Sequence, residues 1–115
     1  MADFKVIELL PPTVITTGFA QSKNEAIDLG PYTSVLVEYD VLAAGSGTGG
    51  EALVLKHCAI QFGNYQVVSG AGIPVDSTAT STTKAPASVS RFVLLESSGT
   101  VVGDPAVGVR LVARG

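Results

Sequence analysis

Three groups of residues have the types that chemistry requires, and their spacing decides what each can do. His57 stands beside Cys58, the only histidine and the only cysteine among 115 residues. An imidazole next to a thiol suggests a base and its nucleophile, but neighbours on a strand leave from opposite faces and cannot share a proton. One His and one Cys cannot build a zinc cluster within a chain either. Their remaining functional use is between chains, with copies of His57 converging about a symmetry axis. Glu38 and Asp40, two residues apart, lie about 7 Å from each other on one face of a strand. That spacing suits acid–base work by paired carboxylates, yet two carboxylates on a solvated sheet face are also the ordinary case.

Gly45-Ser46-Gly47-Thr48-Gly49-Gly50 satisfies G-x-G-x-x-G. The motif binds a pyrophosphate only when a helix N-terminus follows the glycines, and here a second strand is expected at once. No Lys-Ser or Lys-Thr closes a phosphate loop, and no Ser occupies a G-x-S-x-G elbow. The expectation is a non-enzymatic chain with no catalytic, cofactor-binding or metal-ligating residues.

The elements that would position these residues read as strands. Val, Thr and Tyr favour extended backbone, and the 13 Gly and 6 Pro punctuate the apolar runs. Strands are expected near Phe4 to Leu10, Thr13 to Phe19, Thr33 to Ala43, Glu51 to Gln61, Tyr65 to Ser69, Ser88 to Glu96 and Ala106 to Ala113, with a weaker one near Glu25 to Leu29. Gln21 to Asp28 offers the one alternative, two turns of helix ending at Gly30 and Pro31. The fold class expected is all-β: a single-domain antiparallel β-sandwich or jelly roll of seven to eight strands spanning residues 1–115.

Val35, Val37, Tyr39 and Val41 share one wholly apolar face, opposite Leu36, Glu38, Asp40 and Leu42. Val107, Val109, Leu111 and Ala113 alternate with Gly108, Arg110, Val112 and Arg114, the pattern of a sheet with one wet side. The glycine-rich stretch predicts a hairpin joining Thr33–Ala43 to Glu51–Gln61. Residues 76–88, rich in Ser, Thr and Ala, predict a long exposed loop. Residues 1–12 predict an N-terminal arm or edge strand, with Phe4, Val6, Ile7, Leu9 and Leu10 as contacts to an adjacent subunit.

Composition bears on partners. Apolar residues make up 46% of the chain but aromatics only 6%, with no Trp, and charged residues only 15%, against roughly a quarter in ordinary soluble domains. Little charge is available to cover a free monomer, so part of the surface is expected to lie against other chains. The longest apolar runs are four residues, far short of the ~20 that a spanning helix needs, and no membrane partner is expected. The N-terminus lacks the pattern of a secretory signal, and synthesis in a host cytoplasm is expected. A net charge of −3 with seven scattered basic residues provides no stripe for phosphate neutralisation, so direct nucleic-acid binding is not expected. Arg91 and Arg110 sit amid apolar neighbours. Each is either a solvated surface group or half of an intersubunit pair with Asp104, Glu96 or Glu38 of a neighbouring copy.

The segment Ala26-Ile27-Asp28-Leu29-Gly30-Pro31-Tyr32-Thr33-Ser34-Val35-Leu36-Val37-Glu38-Tyr39, with the closing Ser88-Val89-Ser90-Arg91-Phe92-Val93 and Gly108-Val109-Arg110-Leu111, resembles small β-sandwich virion proteins of tailed bacteriophages. A polar turn leads into a central strand, and a late strand with Arg beside an aromatic precedes the closing strand. The resemblance spans roughly Glu25 to Arg114 and rests on strand order and turn placement. It implies a capsid-decoration, vertex or tail-associated role in the virion without a cofactor, with further copies and a major capsid or tail protein as partners. The absence of Trp departs from many such proteins. The rival function is a ligand- or carbohydrate-binding β-sandwich, which needs a polar groove with aromatic platforms, and only Tyr32, Tyr39 and Tyr65 are candidates for those.

Overall fold

The computed structural model describes residues 4–46, 51–84 and 86–114. Ten strands form two antiparallel sheets. The first sheet contains β1 (Phe4–Val14), β10 (Ala106–Arg114), β3 (Ser34–Ala43) and β7 (Ala79–Thr83) in that order, with β8 (Ala87–Ser88) also on β3. The second contains β2 (Ile27–Asp28), β9 (Phe92–Ser97), β4 (Glu51–Cys58) and β5 (Gln66–Val67), with β6 (Ile73–Pro74) also on β4. The all-β sandwich is as expected; the count is ten rather than seven or eight because the chain forms several two-residue strands.

The period-two patterns define the core. Val35, Val37, Tyr39 and Val41 of β3 and Val107, Val109, Leu111 and Ala113 of β10 are buried. They share one cluster with Leu53 and Leu55 of β4 and Val93 and Leu95 of β9. Each fully buried Val, Leu or Ile contributes about 1.5–3 kcal/mol relative to exposure, so aliphatic side chains supply most of the core, beside the buried Tyr39.

Four local expectations are corrected. Β3 and β4 do not form a hairpin; they belong to opposite sheets. Two strands with apolar faces can pair edge to edge or face each other across a core, and the connection decides. The Gly45 N–H donates to the Val75 carbonyl (2.7 Å) and the Ser46 N–H to the Val102 carbonyl (2.9 Å), so the chain leaves β3 anchored to segments other than β4. A Cβ on Gly45 would stand 2.6 Å from the Val102 oxygen, which explains the glycine at the crossing. Of the G-x-G-x-x-G stretch, residues 47–50 lie outside the described residues.

Residues 76–88, expected as a loop, contain β7 and β8 on the edge of the first sheet, pairing Thr82 with Tyr39 and Ala87 with Val35. Large apolar residues are not needed there, because an edge strand needs backbone pairing and β-branched Thr supplies the propensity. Gln21 to Asp28 is not a two-turn helix. One 3-10 turn, Lys23–Glu25, is closed by the Ser22 N–H donating to Glu25 Oε1 (2.8 Å), and Ile27 and Asp28 then pair with β9.

Β1 runs through Pro11 and Pro12 rather than breaking into two strands, because a missing N–H is tolerated on an edge. Register shifts between Glu8 and Leu10 and between Leu10 and Thr13 mark irregularities in the strand. The first turns two consecutive side chains, Leu9 and Leu10, into the core.

Candidate functional site

Alternation that buries one side of β1, β10 and β3 presents the other side as a broad outer face. The registers align Phe4 with Arg114 and Ser34, Val6 with Val112 and Leu36, and Glu8 with Arg110 and Glu38. One cross-strand row is therefore wholly apolar, and Phe4 and Val6 are 64% and 58% exposed at its rim. At the far end, Val14 and Leu42 are also exposed.

Between the apolar ends lies a charged network. Arg110 Nε donates to Glu38 Oε1 (2.5 Å), Nη1 to Asp40 Oδ2 (2.7 Å) and Nη2 to Ser81 Oγ (3.2 Å). The Ser81 N–H donates to Asp40 Oδ1 (2.6 Å), holding Ser81 at a φ of 47°, a conformation that costs a non-glycine residue energy. The Arg110 guanidinium, followed by the Ser81 N–H, keeps the Asp40 carboxyl below its usual range. Acid–base work by Glu38 and Asp40 would need one of them poised near neutrality; Arg110 favours the opposite, with Asp40 held as carboxylate. Arg110 thus has its carboxylates within its own chain, and β3 and β10 bring them together.

Arg91 also has an internal partner. Its guanidinium makes two 2.9 Å bonds to Asp28 and lies 5.2 Å from the Phe92 ring centre. With the Gly30 N–H as second donor, Arg91 draws the Asp28 carboxyl down to about 2. Glu96, another suggested intersubunit partner, pairs with Lys56.

His57 and Cys58 follow one another on β4, and Nδ1 of His57 accepts the Ser90 N–H at 2.9 Å. That bond gives His57 a structural role in joining β4 to the segment before β9. Among the described residues no group of three or more His, Cys, Asp or Glu is placed to hold a metal ion.

Of the residues expected to contact another subunit, Phe4 and Val6 face solvent and Ile7 is half-buried against the core. Leu9 and Leu10 are corrected: the irregular register buries both in the chain's own core.

Sequence reasoning missed the turn after β4. Ile60 and Phe62 point into solvent there, while the Gly63 N–H donates to the Ile60 carbonyl (3.2 Å) and Tyr65 Oη to the Gln61 carbonyl (2.8 Å). The expected strand ran to Gln61, whereas β4 ends at Cys58, and the Gly63-Asn64 pair was the available signal of a turn. The described surface also holds two shallow hollows. One of about 230 Å³ is lined by Lys5, Ile7 and Asp28 to Tyr32, and another of about 240 Å³ by Tyr39, Pro74, Asp76 to Ala79 and Thr82.

Comparison with protein-family models, with curated proteins and with solved structures gives no match.

Proposed function

We propose that this chain is a non-enzymatic structural subunit of a virus particle, a capsid-decoration or other head- or tail-associated protein that acts through contacts with neighbouring chains. The observation that carries the reading is the outer face of the first sheet. Phe4, Val6, Val112 and Leu36 form an apolar surface beside a fixed charged network, in a chain with little charge to spare for covering it. The engagement of Glu38, Asp40 and His57 in internal bonds supports a role in surfaces rather than in chemistry. The placement in a virus particle rests on the resemblance in strand order and turns. The partners proposed are further copies and a major capsid or tail protein.

The test is co-sedimentation of the purified chain with particles that lack it, compared with a variant carrying Leu36→Asp and Val112→Asp. Saturable binding that the double variant loses is the expected result. Failure to bind any particle component, with retention of a soluble monomer on glycans through the hollow beside Tyr32, would overturn the proposal in favour of carbohydrate binding.

A further inference from the structure

Strand β1 is an outer edge of the first sheet, paired along one side with β10, and its two halves are built differently. From Leu9 onward the edge carries devices that stop strand addition. The register is broken twice, and Pro11 and Pro12 offer no N–H. The Leu9 carbonyl is occupied by Gln21 Nε2 at 2.9 Å, and Thr13 Oγ1 donates back to the Pro11 carbonyl at 2.5 Å. Natural sheets protect their edges in this way. Phe4 to Glu8 has no bulge and no proline, and it pairs in unbroken register with Arg114 to Arg110. Lys5, the one charge on its inner side, lines the hollow with Asp28 to Tyr32.

We propose that Phe4 to Glu8 is a strand-addition site for the same segment of a second copy, related by a twofold axis at Val6. This deepens the assembly role and rests on it, naming the chain itself as one partner. Three facts select the occupant and the register. In an antiparallel pair, opposite residues share a face, so residues of like parity must meet. A twofold axis at Lys5 sets two ammonium groups against each other, and one at Ile7 pushes Phe4 against Leu10 in the guarded half. An axis at Val6 pairs Phe4 with Glu8, Lys5 with Ile7 and Val6 with itself, using the unguarded residues and no others.

The same register aligns the outer faces. The row Val6–Val112–Leu36 meets its copy and becomes six apolar residues long across the joined sheets. The adjoining rows bring charges of opposite sign together. Glu8 arrives beside Phe4 of the second copy, whose neighbour on β10 is Arg114. Neither Glu8 nor Arg114 has an ion pair among the described residues. Two such Glu8–Arg114 approaches flank the axis, an arrangement that favours this pairing over other partners.

The experiment is light scattering after size exclusion on the full chain, across a concentration series, together with oxidative cross-linking in a Cys58→Ser background. A dimer is expected for the parent chain. V6K should raise its dissociation constant about a hundredfold through like charge across the axis, with an unchanged circular dichroism spectrum. V6C should cross-link to a dimer on oxidation, since opposite residues bring Cα atoms within disulfide range, and L36C, two strands away, should not. A parent chain that stays monomeric at hundreds of micromolar, or cross-linking by L36C and not by V6C, overturns this site. If that monomer still binds particles, the assembly role survives without it; if it binds none, both fail.

Discussion

The two sheets finish their outer faces differently. On the second sheet, Leu94 points away from the core cluster yet is only 2% exposed, and beside it Lys56 pairs with Glu96 at 2.5 Å. On the first sheet the equivalent outward positions leave Phe4, Val6, Val14 and Leu42 in solvent. Both sheets share one core, so the inner faces cannot explain the contrast. The second sheet covers the middle of its back, at Leu94, and leaves Val67 exposed on its β5 edge; the first leaves an apolar back beside Arg110, Glu38 and Asp40. A chain that buries Leu94 in the middle of one outer face and leaves Leu36 and Val112 half-buried in the middle of the other has a side on which further burial is available.

The sharpest test of the comparison uses leucines at three depths. Leu111→Ala, between the sheets, should cost about 2–5 kcal/mol by denaturant unfolding. Leu94→Ala should cost about 2–3 kcal/mol, at the low end for a buried leucine, although the residue is on an outer face. Leu36→Ala, half-buried on the open face, should cost less than about 1 kcal/mol. Equal losses at Leu94 and Leu36 would break the contrast.

Arg110→Ala should have the next largest effect. It removes bonds to Glu38, Asp40 and Ser81 together and leaves two carboxylates near each other without their cation. Because the guanidinium is partly exposed, with 29% of its side chain accessible, water screens the loss, and about 1–2 kcal/mol is expected. Arg110→Lys should recover only part of it, since an ammonium cannot make the forked contact to two carboxylates. Chemical unfolding of both variants checks the order.

What could be read from the sequence, and what could not, follows from the range of the interactions. The alternation in Thr33–Ala43 and Ala106–Ala113 is a local property, and it correctly separated Val37 and Leu111 from Glu38 and Arg110. Which strand lies beside which is not local. The hairpin expected between β3 and β4 failed because the Gly45 and Ser46 bonds to Val75 and Val102 join residues far apart in sequence. Arg110 was singled out and Glu38 was among its suggested partners, but the pairing of β3 with β10 placed both in one chain. Leu9 and Leu10 illustrate the same limit, since the shift in register that buries both depends on what β10 presents. The exposed Phe4 and Val6 were identifiable from alternation and position.

The smallest expected effect contrasts an ion pair at the edge of the second sheet with the network on the central strands of the first. Asp28, beside β9 in the second sheet, has its carboxyl drawn from an ordinary 3.8 to about 2 by Arg91 and then by the Gly30 N–H. A carboxylate depressed in the folded state stabilises it above the unfolded value, and that contribution disappears as the pH falls through the folded value. The contribution of Asp28 is therefore whole above about 3.8 and is lost as the pH drops through about 2. Asp40 has the same sign, from Arg110 and then the Ser81 N–H. Asp28→Asn should lower Tm at pH 6 and flatten its fall between pH 4 and pH 2, and Asp40→Asn should also lower Tm at pH 6 and flatten its fall below about pH 4. Asp28 is the more exposed, with 45% of its side chain accessible against 23% for Asp40, so its increment should shrink in 0.5 M salt, whereas that of Asp40, held by three strands of the first sheet, should shrink less. Equal salt sensitivity in the two melting profiles would show that the network on the open face is no more fixed than a surface ion pair.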